Sequence, residues 1–139
     1  MSITRVETPV VWSAAASVSV AAATAQESDV VTLDPSCIAA QVSVQADNST
    51  TPASSDQIYV WLLQTSGDSD GAGGDEYDTP GAQHAILLGI IDTNTDDPGR
   101  LTRVLPIPQK GFKIRAEGIT AGTVNAITVS ARVSEQRAA

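Results

Sequence analysis

The chain has 139 residues, enough for one domain with its own core. One cysteine and one histidine exclude a disulfide framework, a cysteine-based zinc site and a paired-histidine metal motif. Charged residues make up only 17%, which speaks against a disordered tail or a helical surface laced with ion pairs.

Alternation of apolar and polar residues recurs along the chain and predicts strands. The segment 9–25, PVVWSAAASVSVAAATA, contains Val18 and Val20 spaced by Ser19, which suits a strand. It also ends in an A-x-A pattern of the kind cleaved after a signal peptide, but its Ala/Ser texture and the upstream Glu7 favour the strand. Alanine-rich 14–26 leaves room for one short helix. Residues 1–14 read either as a strand or as an extended N-terminal arm. A weak strand is expected at 30–33. At 37–46, Ile38, Ala40, Val42, Val44 and Ala46 share one face, with Gln41, Ser43 and Gln45 on the other. The run IYVWLL at 58–63 is apolar on both faces, as in a central strand covered on both sides or an interface strand. HAILLGIID at 84–92 is a second continuous apolar run, and Gly89 within it marks a bulge or a close backbone approach. A weaker strand at 101–107 is limited by Pro106 and Pro108. At 111–119, Phe112, Ile114 and Ala116 face one way and Lys113, Arg115 and Glu117 the other. The last strand is expected at 123–135, with Ile127, Val129, Ala131 and Val133 inward.

Turn signals separate these runs, among them Asp34-Pro35, Asp97-Pro98-Gly99 and Ala121-Gly122. About eight short strands with such punctuation predict an all-β, single-domain sandwich, with at most one short helix. The longest irregular stretch is the acidic, glycine-rich loop 66–83, SGDSDGAGGDEYDTPGAQ. No stretch of the sequence has the 18 or so apolar residues that a membrane-spanning helix needs.

The net charge of −8 is unevenly laid out. Between Val6 and Gly99 there are 14 of the 16 acids and no Lys or Arg; from Arg100 onward there are seven bases and two acids. The basic residues Arg100, Arg103, Lys110, Lys113 and Arg115 either face acids of the same fold or contact a partner of opposite charge. Nucleic acid is a poor candidate, because the chain is acidic and only Phe112 is interleaved with the bases. Tyr77 is a candidate interface anchor within the acidic loop.

The remaining chemistry is sparse. Asp68, Asp70, Asp75, Glu76 and Asp78 include a D-x-D-G start, but the third ligand and closing Glu of a calcium loop are missing, so a solvated acidic loop is the simpler reading. Asp92, Asp96 and Asp97 suit an Asx-stabilised turn better than paired catalytic carboxylates. Cys37 has only His84 as an imidazole partner, and buried free cysteine usually behaves as a small hydrophobe. No catalytic site, metal or cofactor is expected.

The segment IYVWLLQTSGDSDGAGGDEYDTPGAQHAILLGIIDTNTDDPGR, followed by PIPQKGFKIRAEGI, resembles the small all-β decoration (cement) proteins encoded beside the major capsid gene of tailed bacteriophages. The resemblance lies in texture across the second half of the chain, and no motif fixes individual functional residues. It implies a jelly-roll-like sandwich that clusters, commonly as a homotrimer, on the outer surface of a capsid and binds the major capsid protein. A head–tail or tail structural protein and a calcium-dependent carbohydrate-binding module are the rival expectations.

Overall fold

The computed structural model describes residues 2–21, 23–48, 56–67, 76–77, 85–106, 111–119 and 127–138. They form ten strands, β1 (Ile3–Pro9), β2 (Val18–Val20), β3 (Ala25–Glu27), β4 (Cys37–Asn48), β5 (Gln57–Gly67), β6 (Glu76–Tyr77), β7 (Ala85–Asp92), β8 (Gly99–Val104), β9 (Phe112–Gly118) and β10 (Ile127–Ala138). All pair antiparallel, and the described residues contain no helix.

The first sheet runs β1–β10–β4–β8, with β2 also on β10. Strands β1 and β2 run the same way along one edge of β10, covering Arg132 to Ala138 and Ile127 to Val129 in turn. They amount to one strand interrupted by an excursion at 10–17. The second sheet runs β3–β9–β5, with β7 and the two-residue β6 sharing the far edge of β5. With β1 and β2 taken as one strand and β6 set aside, eight strands remain. Only β5 and β7 are consecutive neighbours in one sheet, and every other connection crosses between sheets. That is the connectivity of a jelly roll.

The core follows from the alternation. On the first sheet Ala40, Val42, Val44 and Ala46 of β4 face inward beside Ile127, Val129, Ala131 and Val133 of β10. Against them the second sheet sets larger groups, Ile58, Val60 and Leu62 of β5 with Phe112 and Ile114 of β9. Each such side chain contributes roughly 1.5–3 kcal/mol on burial, so the layer between the sheets holds the fold.

Five expectations change. The option of a helix at 14–26 is replaced by β2 and β3. Ser13 and Ala14 take positive φ of 49° and 68°, in a tight turn closed by Trp12 N–H to Ala15 C=O at 2.8 Å. Val18 and Val20 then pair with β10, so tertiary pairing overrides alanine's helix propensity. Ile38, expected inward, is exposed: the β4–β10 register shifts there, Cys37 and Ala39 taking successive partners, and the bulge turns Ile38 out of phase. The weak strand at 30–33 shrinks to a single bridge between Val31 and Phe112. The strand at 101–107 ends at Val104, and Leu105 instead donates its N–H to Ala40 C=O. Of the last strand, 123–126 lie outside the described residues, and β10 runs three residues past the expected end.

Gly89 lies at the bulge expected of it, and its close neighbour is a side chain. The β5–β7 register shifts around Leu88, and a Cβ on Gly89 would stand 2.9 Å from Leu101 Cδ1.

Candidate interaction surfaces

Outward positions of β9, β5 and β7 come into rows across the second sheet. Arg115 lies opposite Trp61, and Trp61 opposite Leu87; Glu117 lies opposite Tyr59, and Tyr59 opposite Ile90. Each row therefore passes from a charged to an aromatic to an aliphatic side chain. The charged end is internally neutralised. Arg115 reaches Glu27 at 3.5 Å and Glu117 at 3.3 Å, and Lys113 reaches Glu27 at 3.8 Å. The apolar end is uncovered, with Leu87 43% and Ile90 44% exposed and Tyr59 and Trp61 half-buried beside them. The indole N–H of Trp61 has no hydrogen-bond partner among the described residues. Leu63, next along β5 on the same face, is fully buried yet stands outside the core cluster. The doubly apolar run 58–63 is thus a central strand whose outer face is only partly covered.

The outer face of the first sheet has the opposite character. Two adjacent rows cross it: Ser130, Gln45 and Arg100 in one, Arg132, Ser43 and Thr102 in the next. Small side chains leave a groove of about 410 Å³ over these rows, bounded by Pro9 and Ala16. Ser43 and Thr102 hydroxyls are hydrogen-bonded at 3.0 Å, and Arg100 Nε donates to Gln45 Oε1 at 3.1 Å. Neither Arg100 nor Arg132 has a carboxylate partner among the described residues.

The candidate contact residues therefore separate. Lys113 and Arg115 face acids of their own fold. Arg103 follows Leu101 on the inner side of β8 and reaches across to the second sheet, donating Nε to Leu88 C=O at 2.9 Å. Arg100 alone of the four stands on the outer face without an acid. Lys110 lies outside the described residues. Tyr77 lies in β6, opposite Thr65 of β5. Arg132 was not among the candidates; its signal was the alternation of 127–133, which turns Thr128, Ser130 and Arg132 outward once Val129 and Ala131 face in.

The other polar groups are structural. Asp92 accepts from Asn94 N–H at 2.9 Å and Thr95 Oγ1–H at 3.2 Å, and Asp97 accepts from Asn48 N–H at 2.9 Å, the bonding expected of an Asx-stabilised turn. Beneath it Asn48, Asp56 and Thr93 form a buried network. Cys37 is half-buried, and burial first, then the charge of Glu135, pushes its thiol up from its ordinary value of 9.0. Among the described residues no group of three or more His, Cys, Asp or Glu is placed to hold a metal ion. The acids Asp68, Asp70, Asp75 and Asp78 lie outside those residues.

No known protein family matches the chain. A search of curated proteins finds no similar sequence.

Proposed function

We propose that the protein is a virion structural protein that decorates and stabilises a bacteriophage capsid, associating with its own copies and bridging major capsid subunits. The observation that carries this reading is the stripe of Tyr59, Trp61, Leu87 and Ile90 on the outer face of the second sheet. Aromatic and aliphatic side chains contiguous on one face, rimmed by charges already paired with each other, have the composition of an association surface. The jelly roll supports the reading as a frame, because it presents that face on the outside of the sandwich without engaging it in the core. The texture of 58–100 and 106–119 supports the identity of the partner.

The stripe is the surface that seats on the major capsid protein. The mechanism is mechanical: a protein bound across neighbouring subunits loses its binding free energy when they part, and several linked copies multiply modest single contacts. The test is co-sedimentation of the purified chain with capsids of its own phage. Trp61→Lys with Leu87→Lys puts two ammonium groups into the stripe and should reduce bound protein at least about tenfold. Far-UV circular dichroism checks that the variant is folded. A folded variant that co-sediments as well as the parent chain refutes the assignment.

A further inference from the structure

Association of copies, part of the reading above, calls for a second surface, and the groove on the opposite face supplies one. We propose that the groove between Arg100 and Arg132 receives carboxylates from the acidic stretch 68–78 of a second copy of this chain. The inference rests on the reading of the protein as self-associating.

Three observations carry it. First, the two guanidinium groups stand on strands β8 and β10, either side of β4, over a floor of hydroxyls from Ser43 and Ser130. A pair of cations over neutral donors fits an extended segment bearing several carboxylates, since guanidinium is well matched to carboxylate geometry. Second, the groove's immediate surroundings do not satisfy them. Glu7, on β1, is held by Arg5 at 2.7 Å, and Asp47, the next outward residue of β4, makes no ion pair with either arginine. Arg132 makes no hydrogen bond or ion pair at all among the described residues. In a chain of net charge −8, two unpaired cations on one face stand out. Third, the chain carries its own complement. Residues 68–78 hold Asp68, Asp70, Asp75, Glu76 and Asp78 and no base. The strands that flank this stretch, β5 ending at Gly67 and β7 starting at Ala85, belong to the second sheet, with the core between them and the groove.

A contact between the groove of one copy and the acidic stretch of the next is heterologous, so it repeats around a closed ring or along a filament. It uses none of the stripe residues Tyr59, Trp61, Leu87 and Ile90.

The native mass of the full chain, measured by light scattering at low and high salt, tests the proposal. The parent chain should exceed monomer mass near 0.1 M salt and fall toward monomer near 1 M, where the screening length drops from about 10 Å to about 3 Å. Arg100→Asp with Arg132→Asp should weaken association at least about tenfold, and so should Asp68→Arg with Asp70→Arg and Asp75→Arg. Arg100 and Arg132 are both exposed, and both variants should remain folded by circular dichroism. Mixing the two variants should restore association above monomer mass, because the charges are exchanged. A monomeric parent chain, a groove variant of parental mass, an acidic variant of parental mass, or a mixture that stays monomeric would each overturn the proposal. Capsid co-sedimentation separates this from the function itself: a chain that binds capsids through Trp61 and Leu87 but is monomeric alone keeps the stripe and loses the groove contact.

Discussion

Glu135 offers a sharp test of how the C-terminal strand is held. It sits on β10 at an inward position and is 3% exposed. Its carboxylate accepts from Arg137 Nη2 at 2.7 Å and from the Asp34 N–H at 2.9 Å. Asp34 in turn faces Arg137 at 3.7 Å and accepts from Ser36 Oγ–H at 2.6 Å. The cluster ties the turn at 34–36 to the end of the last strand. Glu135→Ala removes two charge-assisted hydrogen bonds of roughly 1.5–3 kcal/mol each and leaves the Asp34 N–H without its acceptor. The Arg137 side chain is partly exposed and regains water, so the net loss is about 3 kcal/mol. For a chain of this size that lowers Tm by roughly 10 °C. Burial raises the Glu135 carboxyl, but the bonds from Arg137 and the Asp34 N–H outweigh it and hold the group below its ordinary 4.5. A carboxyl depressed in the folded state stabilises fully above its unfolded value, and that contribution is lost as pH falls through the folded value. Calorimetry at pH 7 and about pH 3 should therefore show a large Tm gap between parent and variant that narrows on acidification. A gap that is absent at pH 7, or that does not change with pH, would refute the ion-pair account.

Three further outcomes follow from the packing. Gly118→Ala places a Cβ 2.6 Å from the backbone oxygen of Ala21, which cannot step aside; urea unfolding should show a loss of about 2 kcal/mol. Phe112→Ala empties the largest fully buried side chain among the described residues and should cost about 3–5 kcal/mol by the same assay, with parental stability refuting the assigned core. The Cys37 thiol, raised by burial and by Glu135, should react with a disulfide reagent at pH 8 much more slowly in the folded chain than in urea; equal rates would contradict its placement.

How much was legible depended on whether a strand carries its own polarity signal. The strand at 112–118 alternates without exception, and both its faces were read as the structure has them. The run 58–63 carries no alternation, so its two faces could not be told apart; the register beside Phe112 and Ile114 on one side and Arg115 on the other decides them. Ile38 failed because a bulge adds a residue on one strand without leaving a mark in the residue types. Arg103 stands among the candidate contact residues because it is charged. It occupies the inner phase of β8, near the end of an edge strand, where its length lets it cross to the other sheet. The groove could not be read at all, because Arg100 and Arg132 are brought together only by the register of both on β4. Long-range register is set by the whole hydrophobic pattern of two partners, and no single segment encodes it.

The arrangement at the β7–β8 border explains why association should use faces and not edges. Strand β7 ends the second sheet, and its apolar side chains Ile86, Leu87 and Ile90 are exposed. An apolar edge of this kind is a template for pairing with another chain. Here the ladder is broken twice. The irregularity at Leu88 and Gly89 bends the strand, and Arg103 arrives from β8 to occupy the Leu88 carbonyl. A charged side chain and a bulge at one point are the devices by which natural sheets refuse an added strand. With strand addition opposed there, Leu87 and Ile90 are left to be buried face-on, by a partner that covers Tyr59 and Trp61 with them. A face-on contact has a fixed area, in contrast to a ladder that can lengthen without limit. A protein that must occupy a lattice position and stop there needs the first kind.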